Sequence, residues 1–280
     1  MPRVGLIGDP VAHSLSPAMQ QPALDLLGIA ATYELWPTTA AELAARIAGL
    51  RDVDLLGANV TVPHKQAVMP CLDEVTTLAL RAGAVNTIVL RDGRLVGDNT
   101  DVHGFATSLS DVCRNVASRS ALILGAGGAA RAVVLALEAM GVERIVVANR
   151  DVARAERLAA DLAPAPVHVA TNDPRGFERE VRRTALLVNA TSLGWRRGET
   201  PFPAVLVKML PRNALVVDLT YRDTDLLQMA RARGLGTLDG LAMLVHQGAR
   251  ALELWTGRDV PVDVMMEAAR RARDGQDTEA

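Results

Sequence analysis

Ser120-Ala121-Leu122-Ile123-Leu124-Gly125-Ala126-Gly127-Gly128-Ala129-Ala130 is the stretch that decides the fold. Ala121 to Leu124 reads as a buried strand, and the glycine-rich hexapeptide follows directly and opens a helix running to Met140. The next strand, Arg144 to Ala148, arrives at the spacing of a βαβ unit. Alone, a glycine-rich hexapeptide is a weak signal. With a strand before it and a helix after it, it fits a dinucleotide fingerprint with Ala130 in the third small position. Glycines there let the backbone turn tightly and approach a pyrophosphate, whose charge is favoured at a helix N-terminus.

The end of the second strand sets the cofactor type. An Asp or Glu there holds a ribose 2′-hydroxyl, whereas arginines hold a 2′-phosphate by forked, charge-assisted hydrogen bonds. This chain has Asn149-Arg150, with Arg154 one turn on, which favours NADP. Asp151 stands beside them and repels a phosphate unless Arg150 or Arg154 neutralises it. Further strands are expected at Val167 to Val169, at Leu186 to Asn189 running into Ala190-Thr191-Ser192, and at Leu215 to Leu219 running into Thr220-Tyr221.

Working back towards the N-terminus, Val4 to Ile7, Thr32 to Leu35 and Leu56 to Val60 alternate with helical patterns, which indicates a second, mainly parallel α/β unit. Ser16 before Pro17 reads as a helix N-cap, and Ser14 is left over as part of a cradle for a carboxylate. The third strand runs into Asn59-Val60-Thr61-Val62-Pro63-His64-Lys65. Pro63 suits the first turn of a helix, and a lysine in that turn sits at the positive end of the dipole, which disfavours its charged form. A helix is then expected around Val68 to Leu80, and a hairpin about Asp92-Gly93 that delivers Gly97-Asp98-Asn99-Thr100-Asp101. Asp98 fits turn chemistry; Asp101, three residues on, is harder to explain that way.

Lys65 stands out in composition. Of 30 basic residues only Lys65 and Lys208 are lysine, and an arginine cannot serve as a proton donor and acceptor. The remaining composition excludes rather than assigns. A net charge of −2 offers no basic surface for nucleic acid and no polybasic membrane anchor. No run approaches the length of a membrane span. Cys71 and Cys113 lack metal-type spacing, and five scattered histidines give no helical metal pair, so no metal and a reducing, cytoplasmic setting are expected. Gly240 to Gln247 begins a helix that Gly257 stops, a last helix spans Val262 to Arg273, and the polar tail from Asp274 is expected to fray.

Ser14-Leu15-Ser16-Pro17, Asn59 to Lys65, Gly83-Ala84-Val85-Asn86-Thr87, Gly97 to Asp101, Gly125 to Ala129, Asn149-Arg150, Ala190-Thr191-Ser192 and Gln247, in this order and spacing, resemble the shikimate dehydrogenase family over nearly the whole chain. The resemblance implies an α/β protein with an N-terminal three-layer α/β substrate domain, a Rossmann-type doubly wound dinucleotide-binding domain, and an active site in the cleft between them. Residues 1–104, completed by helices in 241–280, would form the first and residues 105–240 the second. It implies NADPH-dependent reduction of 3-dehydroshikimate to shikimate. Lys65 and Asp101 would be the catalytic pair. Ser14, Ser16 and Tyr221 would hold the substrate carboxylate, and Asn59, Thr61, Asn86 and Gln247 would bind ring hydroxyls or position the pair. Gly125, Ala126, Gly127, Gly128 and Ala129 would carry the pyrophosphate, Asn149, Arg150 and Arg154 the ribose phosphate, with Thr191, Ser192, Gly240 and Met243 also at the cofactor.

The chain departs from the family pattern at Asp151, where Ser or Thr is usual, and in Tyr221 to Leu226, which is two residues shorter. Three other readings are open at this stage: a quinate and shikimate dehydrogenase using NAD, a ligand-sensing relative without turnover, and a methylenetetrahydrofolate-type dehydrogenase. The Ser14/Ser16 cradle argues against the last, and the presence of both Lys65 and Asp101 against the sensor. The partner is a small molecule, and the chain is expected to be a monomer or homodimer.

Overall fold

The computed structural model describes residues 2–52, 54–113, 120–171 and 173–279. The chain divides into two compact units: Met1–Gly104 with Leu244–Ala280 (unit 1), and Phe105–Met243 (unit 2).

Unit 1 contains strands β1 (Arg3–Gly8), β2 (Thr32–Pro37), β3 (Leu55–Val60), β4 (Glu74–Val75), β5 (Thr87–Arg91) and β6 (Arg94–Asp98) in the order β2-β1-β3-β5-β6-β4. β1 runs parallel to β2 and β3, β5 is antiparallel to both β3 and β6, and β4 is parallel to β6, so the sheet is mainly parallel, as expected, with β5 alone reversed. The Asp92-Gly93 hairpin sets β6 antiparallel to β5: both residues adopt positive φ, the type I′ geometry that matches strand twist. Helices α1 (Ser16–Leu26), α2 (Leu43–Gly49) and α3 (Thr77–Ala82) precede α4 (Asp101–Val112), whose first four residues close the unit's N-terminal part. Ile7, Trp36, Ile47, Val60, Ile88 and Leu95 pack into one core, each side chain contributing about 1.5–3 kcal/mol on burial.

Three local expectations are corrected in this unit. No helix starts at Pro63; turns at 62–63 and 65–68 are followed by a 3-10 helix at Met69–Cys71. Long-range pairing overrides the proline signal, because the Lys65 carbonyl accepts from the Val85 N–H at 2.7 Å and is drawn away from a helical ladder. The long helix around Val68 to Leu80 is replaced by that 3-10 turn, β4 and the short α3, capped by Thr76, which accepts from the Ala79 N–H. Ser16 is not the cap of α1 but its first residue; Leu15 stands at the N-cap without a side-chain bond, and Ser14 Oγ accepts the Ser16 N–H at 3.1 Å.

In unit 2, β7 (Ser120–Leu124), β8 (Arg144–Ala148), β9 (Val167–Val169), β10 (Leu186–Asn189), β11 (Leu215–Asp218) and β12 (Gly236–Leu238) form an all-parallel sheet, β12-β11-β10-β7-β8-β9. This is the doubly wound order, whose direction reverses between β7 and β10. Helices α5 (Gly128–Ala139), α6 (Val152–Asp161), α7 (Pro174–Arg183), α8 (Ala204–Val207) and α9 (Asp225–Ala232) make the crossovers and connections. Central strands buried on both faces read as continuous apolar runs, as Leu186 to Val188 and Leu215 to Val217 do.

α10 (Leu241–Thr256) passes from unit 2 to unit 1 after Met243, and α11 (Val262–Glu279) packs along α1. Trp255 anchors α10 on the unit 1 sheet, its Nε1 donating to the Ile88 carbonyl at 2.9 Å. The helix continues past Asp274 to Glu279, in a run without Pro that keeps every i to i−4 bond available.

Candidate active site

In unit 1 the sheet gathers the polar residues at one place. Asn59 is opposite Thr87 in the β3–β5 register, and Thr87 is opposite Asp98 in the β5–β6 register. Asn86 precedes β5, and Thr100 and Asp101 open α4 just after β6. Lys65 is held from both sides of its own turn. The buried His64 ring meets the Thr38 carbonyl at 2.6 Å through Nε2, and the Lys65 carbonyl is taken by Val85. A carbonyl only accepts, so His64 carries its proton on Nε2 and is an anchor rather than a reactive group.

Lys65 Nζ donates to Asp101 Oδ2 at 2.6 Å, with the two side chains 17% and 7% exposed. The other carboxylate oxygen accepts from Asn86 Nδ2 at 2.9 Å. Asn86 Nδ2 also faces Thr100 Oγ1 at 2.9 Å and Gln247 Oε1 at 3.2 Å, while its Oδ1 accepts the Thr100 N–H at 2.7 Å. The electrostatics reverse the expectation from Pro63. Asp101, not Lys65, stands at a helix N-terminus, where the dipole favours an anion. The lysine is therefore oriented by a carboxylate that is itself held by an amide and a helix start.

Of the other residues named from sequence, Ser14 donates to Ser16 Oγ at 3.1 Å. Asn59 donates to the Asn86 carbonyl at 3.2 Å and to Thr87 Oγ1 at 3.3 Å. Thr61 shapes the turn through its backbone, its N–H donating to Ile7 and its carbonyl accepting from His64. Asp98 is explained by turn and cap chemistry, accepting from the Asn99 N–H and from Thr76 Oγ1. Tyr33 carries no motif signal, yet its buried hydroxyl donates to Asn59 Oδ1 at 2.8 Å. Burial pushes the Tyr33 phenol far up, with the Ser16 hydroxyl acting weakly the other way. The chain has only two tyrosines, Tyr33 and Tyr221, and that scarcity is the signal that could have marked it.

In unit 2 the strand ends line one sheet edge. Gly125 has φ of 107°, and a Cβ there would lie 2.9 Å from the Ala190 carbonyl oxygen, so the loops after β7 and β10 touch through backbone. Gly127 caps α5 without a side-chain bond, and a Cβ on it would meet open space. Ala126, Gly128 and Ala129 lie in the same half-exposed turn. An open, glycine-lined helix start at the switch point fits a pyrophosphate. Asn149 Nδ2 donates to the Asp151 carbonyl at 2.8 Å, as does the Arg154 N–H at 3.1 Å. Arg150, Asp151 and Arg154 are all exposed, and the two arginines have no ion-pair partner among the described residues, which fits a phosphate.

Thr191 is fixed by Asn189, whose Oδ1 accepts from the Thr191 N–H at 3.0 Å and from its hydroxyl at 2.7 Å. Asn189 in turn donates to the fully buried Asp218, which also accepts from the Thr220 N–H and Thr224 Oγ1. Burial holds the Asp218 carboxyl above its ordinary range despite those bonds. Neither Asn189 nor Asp218 was marked as a site residue by motif. Ser192 follows in the same loop, Gly240 donates its N–H to the Thr220 carbonyl, and Met243 is buried on α10. Tyr221 stacks edge-on against Trp195 at 4.9 Å, with the Arg222 guanidinium over the indole.

Comparison with known proteins agrees with this geometry. The family models described as the shikimate dehydrogenase substrate binding domain, shikimate / quinate 5-dehydrogenase and the shikimate 5'-dehydrogenase C-terminal domain match residues 6–88, 107–192 and 240–270. A shikimate dehydrogenase (NADP(+)) of Symbiobacterium thermophilum is 50% identical over 279 residues, covering 98% of this chain and 95% of that one. The chain belongs to the shikimate dehydrogenase family. The shikimate dehydrogenase of Aquifex aeolicus superposes with a TM-score of 0.89 at 36% identity, covering 96% of this chain and 98% of that one. Shikimate 5-dehydrogenase of Thermus thermophilus, solved with NADP(H) and shikimate, gives 0.87 at 42%, covering 97% and 100%. A quinate dehydrogenase of Corynebacterium glutamicum, solved with NAD, gives 0.86 at 35%, covering 96% and 99%. Among the described residues no helix is long and apolar enough to cross a membrane.

Proposed function

We propose that this protein catalyses the reversible, NADPH-dependent reduction of 3-dehydroshikimate to shikimate, a step in making chorismate and the aromatic amino acids. The observation that carries the proposal is the part-buried Lys65–Asp101 pair, bonded at 2.6 Å with Asn86 on the second carboxylate oxygen. NADP, when bound, exchanges a hydride with the substrate carbon. A ketone that gains hydride becomes an alkoxide and needs a proton donor within hydrogen-bond reach. Lys65 Nζ holds that proton, and takes one from the alcohol in the reverse direction. Asp101 orients the ammonium, and Asn86 with Gln247 holds the carboxylate in place.

Ser14 and Ser16, beside the start of α1, supply hydroxyls for the substrate carboxylate. In unit 2, the first turn of α5 is assigned to the pyrophosphate, and Arg150 and Arg154 to the 2′-phosphate, with Asn149 shaping their turn. Thr191, Ser192, Gly240 and Met243 complete the cofactor assignment. Two free cysteines, Cys71 and Cys113, fit a reducing cytoplasm.

Asp151 supports a second reading. Its exposed carboxylate beside Arg150 repels a 2′-phosphate and can bond a 2′-hydroxyl instead, as in an NAD-using quinate and shikimate dehydrogenase. Initial rates with shikimate or quinate against NADP⁺ or NAD⁺ separate the two. Activity confined to shikimate with NADP⁺ supports the proposal. Comparable rates with quinate and NAD⁺ support the second reading, and no turnover in any combination sinks both.

A further inference from the structure

Tyr33 lies on β2, with β1 between it and β3, yet it touches the residues around the catalytic pair. The register places Tyr33 beside Val4 and Asn59 beside Leu6, so the phenol reaches diagonally across β1. Its hydroxyl is the hydrogen-bond donor to Asn59 Oδ1, at 2.8 Å, and Ser16 is its other polar neighbour. Asn59 is 5% exposed, and both hydrogens of its amide are committed, to the Asn86 carbonyl and to Thr87 Oγ1. Because Thr87 Oγ1 accepts from Asn59, its single proton is free for Asn86 Oδ1, 3.1 Å away, or for Thr100 Oγ1 at the same distance, which itself bonds Asn86 Nδ2. Asn86 then donates to Asp101, which holds Lys65.

We infer that Tyr33 is a positioning residue for the reaction: its hydroxyl locks Asn59, and through Thr87 and Asn86 it fixes the orientation of the Asp101–Lys65 pair, linking that pair to the Ser14/Ser16 cradle. Asn59, with no amide hydrogen to spare, acts in the same chain and not as a donor to substrate. The links run from donor to acceptor, from Tyr33 to Asp101, so the first link adds to the hold that the Thr100 N–H already has on the Asn86 amide. Without the phenol hydroxyl, Asn59 Oδ1 is a buried acceptor that has lost its donor, and the amide turns or shifts to find another.

This inference rests on the proposed reaction, so its test has an arm that needs no turnover. The full-length protein is compared with Tyr33→Phe, which keeps the ring, and with Thr87→Val and the double variant. The side-chain amide resonances of Asn59 and Asn86 are followed in ligand-free protein. Expected is a shift of the Asn86 amide in Tyr33→Phe, three hydrogen bonds away from the change. Also expected is a fall in kcat of about tenfold, corrected for NADP⁺-binding sites, with the KM for NADP⁺ within a factor of about two. If both residues act in one chain, the double variant loses no more kcat than the worse single one. An unmoved Asn86 amide, or losses in kcat that multiply, overturns the inference. A wild-type protein without turnover sinks the proposed reaction, and the amide resonances then decide on the chain alone.

Discussion

Unit 1 and unit 2 build their sites from different material. In unit 1, Lys65, Asn86, Asp101 and Gln247 come from separate parts of the chain and meet through side chains, each oriented by another. In unit 2, the edge assigned to the nucleotide is mostly main chain: Gly125 against Ala190, Gly127 opening α5, Gly240 against Thr220. The difference follows from the two tasks. Moving a proton needs a titratable group held at one distance and angle by others. Holding a pyrophosphate needs several N–H groups at a helix start and the absence of side chains in the way.

The comparison predicts separable failures. Lys65→Ala should lower turnover by about 10³-fold while NADP⁺ affinity and Tm stay near those of the parent; unchanged turnover would remove Lys65 from the mechanism. Gly240→Ala should fail in the opposite manner. A Cβ there lies 2.0 Å from the Leu219 carbonyl oxygen, a main-chain atom with little freedom to yield. The expected cost is about 3 kcal/mol, read as a fall in Tm of roughly 10 °C, together with weaker NADP⁺ binding. Normal Tm and normal binding would show that this backbone contact is dispensable.

The smallest effect sharpens the contrast, because unit 2 does hold one buried side-chain network. Burial raises the Asp218 carboxyl above its ordinary 3.8, so the folded chain binds its proton more readily than the unfolded one. The stability linked to that proton is fully present below the unfolded value and is lost as pH rises through the folded value. Asn at this position does not titrate. The Tm of Asp218→Asn relative to the parent should therefore move in the variant's favour as pH is raised from about 4 to about 7. A Tm difference that is flat across that range would contradict the raised carboxyl.

The same contrast explains what could be read in advance. The fingerprint from Ser120 to Ala130 was legible because its strand, glycines and helix are neighbours in sequence. Lys65 and Asp101 were legible by residue type and by resemblance, but the reason for their geometry was not. A local reading put the lysine at a helix start. The chain put the aspartate there, since Val85 and Thr38 pull the Pro63 turn out of helical geometry. The cap of α1 was misplaced in the same manner: Leu15 stands at the N-cap, and the Ser16 N–H is taken by Ser14 Oγ.

By itself, then, the sequence determined the two α/β units, the glycine edge and the arginines after β8. All of these rest on local periodicity, glycine and proline chemistry, or residue type. Only the tertiary structure decided the reversed strand β5 of unit 1, the turn that carries Lys65, the link from Tyr33 to Asn59, and the burial of Asn189 with Asp218. Those depend on strand register and on which polar groups are left to satisfy one another once water is excluded, and neither is written in any contiguous stretch of chain.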